Sequence, residues 1–465
     1  GFSRPGSGCA DSARRPGGRC ESGRVRGERR RGSLGPAVAI APGARVDRFE
    51  VFFDLVFVFS FFVIVRATAT AITGHTLLHG FLVLAVLWWV WVIHSIVATR
   101  VRLGEGFVPV VMVVGMAAVF AFALAVPQTI AAHGQGLAAP LIVALSYLVI
   151  RVVHLWVYWH VMRNQPVESR HLMKLAPELV LSTGLLLAAA LVPAHLADPG
   201  DAALVRDGLW AVVVVSQYAT GLLAGTGGGG VTSAEHWTER YDLILMIALG
   251  ESVISVGVGT NLAGRPLNWQ AITAAGIGIV LAATLWWLHF DVIGPAARIA
   301  LHAARGRTRV ALARDAYAYL FLPMITGLIL FSLGAEEMLN LLGQPHLPLD
   351  ESLHRPGIPL LYGGVACYLS GDILFQLRTL RTLTWARVGT VLLIVALVPV
   401  AGRLPTLAAI ILLTGVCVGL VAVEVVTMAD SRHALREAVF AERTAHEARE
   451  AQWRQRWHDG GPDEE

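Results

Sequence analysis

Glu50 and Asp54 stand four residues apart in Arg48-Phe49-Glu50-Val51-Phe52-Phe53-Asp54, at the head of a long apolar run. On a helix they share one face, one turn apart. A carboxylate held inside a membrane span is expensive unless it is protonated, paired or wetted, so it marks a candidate functional position. A second stretch, Glu239 to Ser252, has Arg240 at its mouth and Glu251 eleven residues further in. Gly250, Ser252, Ser255, Gly257 and Gly259 surround Glu251. Small residues let a second helix close in, or let the helix open around an ion. The chemistry these residues suit is the movement of protons, ions or charged solutes.

Other ionisable residues fall inside apolar runs. His94 is matched in depth to Asp54 on the neighbouring run, which suits a proton relay or a static hydrogen bond. Arg151, flanked at i−4 and i+3 by Tyr147 and His154, is the expected countercharge for Glu251, with Asp372 as another partner for it. Arg48, Glu50, Asp54, His94, Arg151, Arg240, Glu251 and Asp372 are therefore the transport or gating candidates. His289 and Asp291 point to different helix faces, which argues against a metal site built from them. Glu336 and Glu337 are expected to be solvated, Arg66 to snorkel to headgroups, and Pro323 to kink its helix. Trp88, Trp89, Trp91, Trp286 and Trp287 read as an aromatic belt or as packing. The Gly227–Gly230 run has neither a strand before it nor Lys-Ser/Thr after it, so it is not a phosphate loop. No catalytic residue or metal ligand is nominated, and the cofactor is left unknown.

The elements that must position these groups follow from composition. The chain has 465 residues, 55% hydrophobic and 15% charged, against about a quarter charged in soluble domains. Mean hydropathy is +0.61. The four cysteines (Cys9, Cys20, Cys367, Cys417) show neither metal spacing nor a disulfide framework. Residues 1–48 hold eleven Arg and four acids, so +7 of the net +4 lies there and the remainder is near −3. A Gly, Ser, Pro and Arg-rich segment of this kind cannot build a core and reads as a disordered basic tail. It has no short apolar core followed by a cleavage site, unlike a secretory leader. Nucleic acid is not expected as a partner; the lipid bilayer and a small solute or ion are, and further copies of the chain would be compatible.

Apolar runs of about 20 residues, the length that crosses a bilayer, recur twelve times, the first near 50–72 and the last near 405–427. If the N-terminus is cytoplasmic, fourteen Lys and Arg fall in inner loops and four in outer ones, as the positive-inside rule requires. The expected fold is all-α and polytopic, with about twelve spans and both ends cytoplasmic. A basic tail (1–47) precedes two six-helix halves (48–226 and 236–428), and a cytoplasmic helix or tail follows (429–465), with Trp453 and Trp457 on one face. The halves echo each other at Arg48-Phe49-Glu50 and Arg240-Tyr241-Asp242, at Trp88-Trp89 and Trp286-Trp287, and at Tyr147 and Tyr368. Six spans per half make the repeats parallel.

Arg48-Phe49-Glu50-Val51-Phe52-Phe53-Asp54-Leu55-Val56-Phe57-Val58 and Glu239-Arg240-Tyr241 through Leu249-Gly250-Glu251-Ser252 resemble the two hallmarks of the bacterial low temperature requirement protein A (LtrA) family. The resemblance covers residues 45–428. It implies a polytopic bacterial cytoplasmic-membrane protein, linked by the family's name to growth in the cold, and no particular substrate or reaction. Arg48-x-x-x-Phe52-Phe53-Asp54 is also similar to the R-x-x-x-F-S-D motif of a potassium channel family. It departs from that motif at Phe53, and Arg240-x-x-x-Ile244-Leu245-Met246 lacks it.

The leading functional reading is a secondary transporter or permease, with proton coupling. Arg48, Glu50, Asp54 and His94 would form an inner gate, and Glu251 and Arg151 would line a path at the midplane. The alternatives are an ion channel, an inner-leaflet membrane enzyme, and a sensor or scaffold acting through the C-terminal helix.

Overall fold

The computed structural model of the chain describes residues 46–130, 136–163, 166–223, 233–259, 269–342 and 356–459. The basic tail before Val46, Cys9, Cys20 and the Gly227–Gly230 run lie outside the described residues, as do the side chains of Trp453 and Trp457.

Each of the twelve apolar runs is helical: α1 (Arg48–Ala69), α2 (Gly74–Ala98), α3 (Val108–Ile130), α4 (Ala138–Met162), α5 (Pro166–Leu191), α6 (Pro199–Leu223), α7 (Ala234–Gly259), α8 (Trp269–Ala303), α9 (Gly306–Leu312 continuing into Phe321–Leu342), α10 (Gly357–Leu380), α11 (Trp385–Ala401) and α12 (Thr406–Thr427). A further helix, α13 (Ala429–Asp459), follows. No strand occurs among the described residues. In hydrocarbon every backbone group must be satisfied within its own segment, and the helix does this.

Ten of these helices are long and apolar enough to cross a membrane. The other two are α6, which carries Asp201, Arg206 and Asp207 in its first half, and α11, which has 17 residues. The chain is a polytopic membrane protein.

Neighbour relations repeat along the chain. α1 packs on α3, α3 on α4, α4 on α5, α5 on α6, and α2 on α6. In the same order α7 packs on α9, α9 on α10, α10 on α11, α11 on α12, and α8 on α12. α1 also lies against α7 and α9. The side on which α1 begins is called the near side below, and the opposite one the far side.

The tightest pair is α9 with α10, where glycines recur every seventh residue: Gly327 and Gly334 on α9, and Gly357, Gly364 and Gly371 on α10. A Cβ on Gly364 would sit 2.4 Å from the Phe331 nitrogen, and one on Gly334 2.4 Å from the Leu361 nitrogen. These helices touch backbone to backbone, as membrane interfaces rich in small residues do.

α8 and α9 each contain a π-helical stretch, His289–Ile293 and Ala313–Tyr319. A π turn displaces carbonyls from their usual partners, and side chains take them up. Trp88 Nε1 donates to the Ala318 carbonyl at 2.7 Å, and Arg387 Nη2 to the Leu288 carbonyl at 2.7 Å. The break in α9 therefore precedes Pro323, which lies in the first turn of Phe321–Leu342, where a missing N–H costs little. Trp88, Trp89 and Trp91 are core residues, whereas Trp286 and Trp287 are exposed on the bundle's surface, so only the second set suits a belt.

Candidate functional site

Arg240, fully buried on α7, holds a knot of polar side chains near the near side. Its Nη1 donates to Glu50 at 2.5 Å, its Nη2 to Asp54 at 2.8 Å and its Nε to Ser95 at 3.3 Å. The two acids reach one guanidinium because their spacing of four stacks them on the inward face of α1. Trp91 Nε1 donates to Asp54 at 2.8 Å, and the Trp91 ring lies 5.6 Å from the guanidinium carbon. His236, one turn before Arg240, approaches Glu50 to 2.9 Å. Two carboxylates thus face one permanent cation, and His236 supplies a second positive charge when protonated. The knot joins α1, α2 and α7, and the backbone nitrogen of Val46 adds a bond to Glu239 at 3.2 Å.

The expected Asp54–His94 pair does not form. Trp91 and Ser95, four apart, share the face of α2 turned toward α1 and α7, and His94 is rotated toward α4. There it meets His154, Nδ1 to Nε2 at 3.2 Å, under the Phe53 ring at 3.6 Å. The remaining nitrogens, His94 Nε2 and His154 Nδ1, are buried without a hydrogen-bond partner among the described residues, as is Asp54 Oδ2. Arg48 is exposed at the start of α1 and takes no place in the knot.

Arg151 is not the countercharge of Glu251. It pairs with Glu178 on α5 at 2.5 Å, and Glu178 also accepts from Ser182 at 2.8 Å and from Tyr147 at 3.3 Å. Nor does Asp372 meet Arg151. It binds Arg387 on α11 and, at 2.7 Å, His289 of the π turn in α8. Arg387 in turn forks onto Glu424 of α12, Nε at 2.5 Å and Nη2 at 2.8 Å. Adjacent helices pair Arg151 with Glu178 in the first half and Asp372 with Arg387 in the second, the signs reversed between the fourth and fifth helix of each.

His289 and Asp291 do point apart. Asp291 faces α13, where Arg432 pairs with it and Arg436 approaches to 3.2 Å. Among the described residues no group of three or more His, Cys, Asp or Glu side chains is placed to hold a metal ion.

Glu251 is different in kind. It is 2% exposed, in the far half of α7. Ser255 donates to its Oε1 at 2.6 Å and Ser332 on α9 to its Oε2 at 2.7 Å, while Ser332 and Ser252 lie 3.0 Å apart. No ion pair to Glu251 exists among the described residues. The nearest turn outward carries Glu336, on the same face of α9 as Ser332, and Glu336 pairs with Arg66 of α1. The expectation of a solvated Glu336 is thereby corrected: it is 3% exposed. Arg66 remains partly exposed beside it.

Glu178, His236, Ser332, Arg387 and Glu424 were not among the sequence candidates. Glu178 and Glu424 satisfy the criterion that singled out Glu251, an acid inside an apolar run, and a uniform scan for it finds both. Ser332 carries no comparable signal, because its role depends on which helix faces α7.

An uncharacterized protein of Rhizobium meliloti (strain 1021) is 25% identical to this chain over 393 residues, 80% of this chain and 87% of its own length. No solved structure matches. Residues 45–422, which include both anchor stretches and every ionisable group of the Arg240, Arg151, Asp372 and Glu251 clusters except Glu424, match the bacterial low temperature requirement A protein (LtrA), and the chain belongs to that family.

Proposed function

We propose that the protein is a cation-coupled secondary transporter of a small solute in the bacterial cytoplasmic membrane. In this reading twelve spans form two parallel six-helix repeats, with both ends cytoplasmic. The recurrence of the same neighbour relations in both halves supports the repeat. The near side, rich in Lys and Arg, is then the cytoplasmic one.

Glu251 carries the reading. The clusters around Arg240, Arg151 and Arg387 pair acid with Arg, as permanent struts would. Glu251, by contrast, meets hydroxyls in place of a cation among the described residues. A buried carboxylate in apolar surroundings must take up a proton or another cation, or meet water. A group that gains and loses a positive charge within a bundle is what coupling a solute to an ion gradient requires. The Arg240 and Arg387 knots close the near side, and Glu251 lies toward the far side behind Arg66 and Glu336.

The test uses purified protein in proteoliposomes with an internal pH dye. It screens amino acids, organic acids, sugars and amines for solute-driven proton movement, with wild type beside Glu251→Gln. At least one solute class moves protons through wild type and none does so through the variant. Equal responses remove Glu251 from the mechanism. Passive single-channel currents would select the channel reading instead.

A further inference from the structure

We propose that Glu251, Ser252, Ser255 and Ser332 form a binding site for one small monovalent cation, Na+, for which H+ competes. The inference rests on the transporter reading for its purpose, and on geometry for its content. Five oxygens meet between α7 and α9: the two of the carboxylate and three hydroxyls, with neighbouring distances of 2.6, 2.7 and 3.0 Å. The Ala248 carbonyl lies 3.3 Å from the Ser252 hydroxyl and adds a sixth. An all-oxygen set suits hard cations. One carboxylate balances one positive charge, which selects a monovalent ion. Ca2+ takes 6–8 oxygens and usually several carboxylates. The oxygens are drawn together by hydrogen bonds, and a small ion demands less spreading of them than K+.

Ser255 and Ser332, the two serines that donate to Glu251, can serve both states, and Ser252 donates to the Ala248 carbonyl and keeps its lone pairs free for a cation. A hydroxyl carries one donor and two lone pairs. With no cation bound, each of the two points its proton at the carboxylate. Rotated by a third of a turn, it presents a lone pair to a cation instead. A proton on Glu251 satisfies the same hydroxyl lone pairs, so H+ and Na+ exclude each other.

A separate observation places a second cation-attracting group beside the site. Glu336 Oε2, one turn outward of Ser332, is buried and has no hydrogen-bond partner among the described residues. Its other oxygen is held by Arg66, whose side chain reaches the surface. A carboxylate with a free oxygen between the surface and the site draws a cation inward. The charged group facing Glu251 is Glu336 from α9, itself paired with Arg66 of α1, while Glu337 is turned toward Gly357 of α10. α8, on the other side, has no ionisable side chain between Trp269 and Leu288. Arg240 and Asp242 lie about three turns away along α7.

The experiment measures binding of radioactive sodium to the purified full chain in nanodiscs, by scintillation proximity. Wild type binds one Na+ per chain saturably, and Li+ and acid displace it while K+ does not. Glu251→Gln abolishes the signal, and Ser332→Ala weakens it by about tenfold, which is about 1.4 kcal/mol. Ser332→Ala keeps the test decisive should the first variant misfold. Binding that is unchanged in both variants, or absent from wild type at every pH tried, overturns the site. Proton-coupled flux without sodium binding removes the Na+ site and leaves the carrier. Sodium binding without any solute flux removes the carrier and leaves the site.

Discussion

Arg240 and Glu251 sit on the same helix, eleven residues and about 16 Å of helix rise apart, yet their surroundings are opposites. Arg240 is saturated with acids and hydrogen-bond acceptors, whereas Glu251 meets only hydroxyls. The first arrangement is built for permanence. Breaking a buried ion pair strands a charge, while an acid among hydroxyls can exchange its counterion without tearing the fold. On the transporter reading, one helix carries both a fastening and a moving part.

That contrast is open to attack. Arg240→Ala strands Glu50 and Asp54 without a cation, and should cost about 3–5 kcal/mol. The expected result is loss of the folded peak in gel filtration, or a Tm lowered by many degrees. Arg387→Ala, which strands Asp372 and Glu424, should rank beside it. If either variant matches wild type in Tm, the strut interpretation is wrong. Gly364→Ala forces α9 and α10 apart and should destabilise by about 1–3 kcal/mol, as overpacking does, again read as a Tm shift. Glu251→Gln should behave in the reverse sense. It removes an unpaired charge from the interior, so Tm should stay level or rise while coupled flux disappears. A large loss of stability there would make Glu251 a strut like the others. The smallest effect belongs to Arg436→Ala. It removes the largely exposed arm of the Asp291 cluster and leaves the buried Arg432 pair in place, and should cost about 0.2–1 kcal/mol. Limited proteolysis should then cut α13 sooner, with Tm nearly unchanged.

Much of the bundle was legible beforehand because hydrocarbon imposes one rule on the chain. Apolar runs marked where helices form, ten of them long and apolar enough to cross a membrane, and the acids in apolar runs pointed to Glu50, Asp54 and Glu251. Partners were harder to read. Depth-matching placed His94 beside Asp54, but rotation about the helix axis decides contact, and it turned Trp91 and Ser95 there instead. Arg151 was the expected countercharge for Glu251 as an arginine inside an apolar run, whereas α5, the next helix along the chain, supplied Glu178 as its partner. Pairing follows which helices touch, and single-chain periodicity carries no such information. The heptad of glycines on α9 and α10 was visible in the sequence. Its meaning required seeing that the two stretches face each other.

The glycine seam has a mechanical consequence. Two helices in contact along their main chains have no layer of side chains to shear, so α9 and α10 behave as a single rod. Ser332 sits on one half of that rod and Asp372 on the other. Any swing that carries the Ser332 hydroxyl away from Glu251 also tugs at Arg387, and through it at α11 and α12. On the transporter reading, an event at a single carboxylate near the far side is thereby passed to the near side without a relay of small adjustments in between.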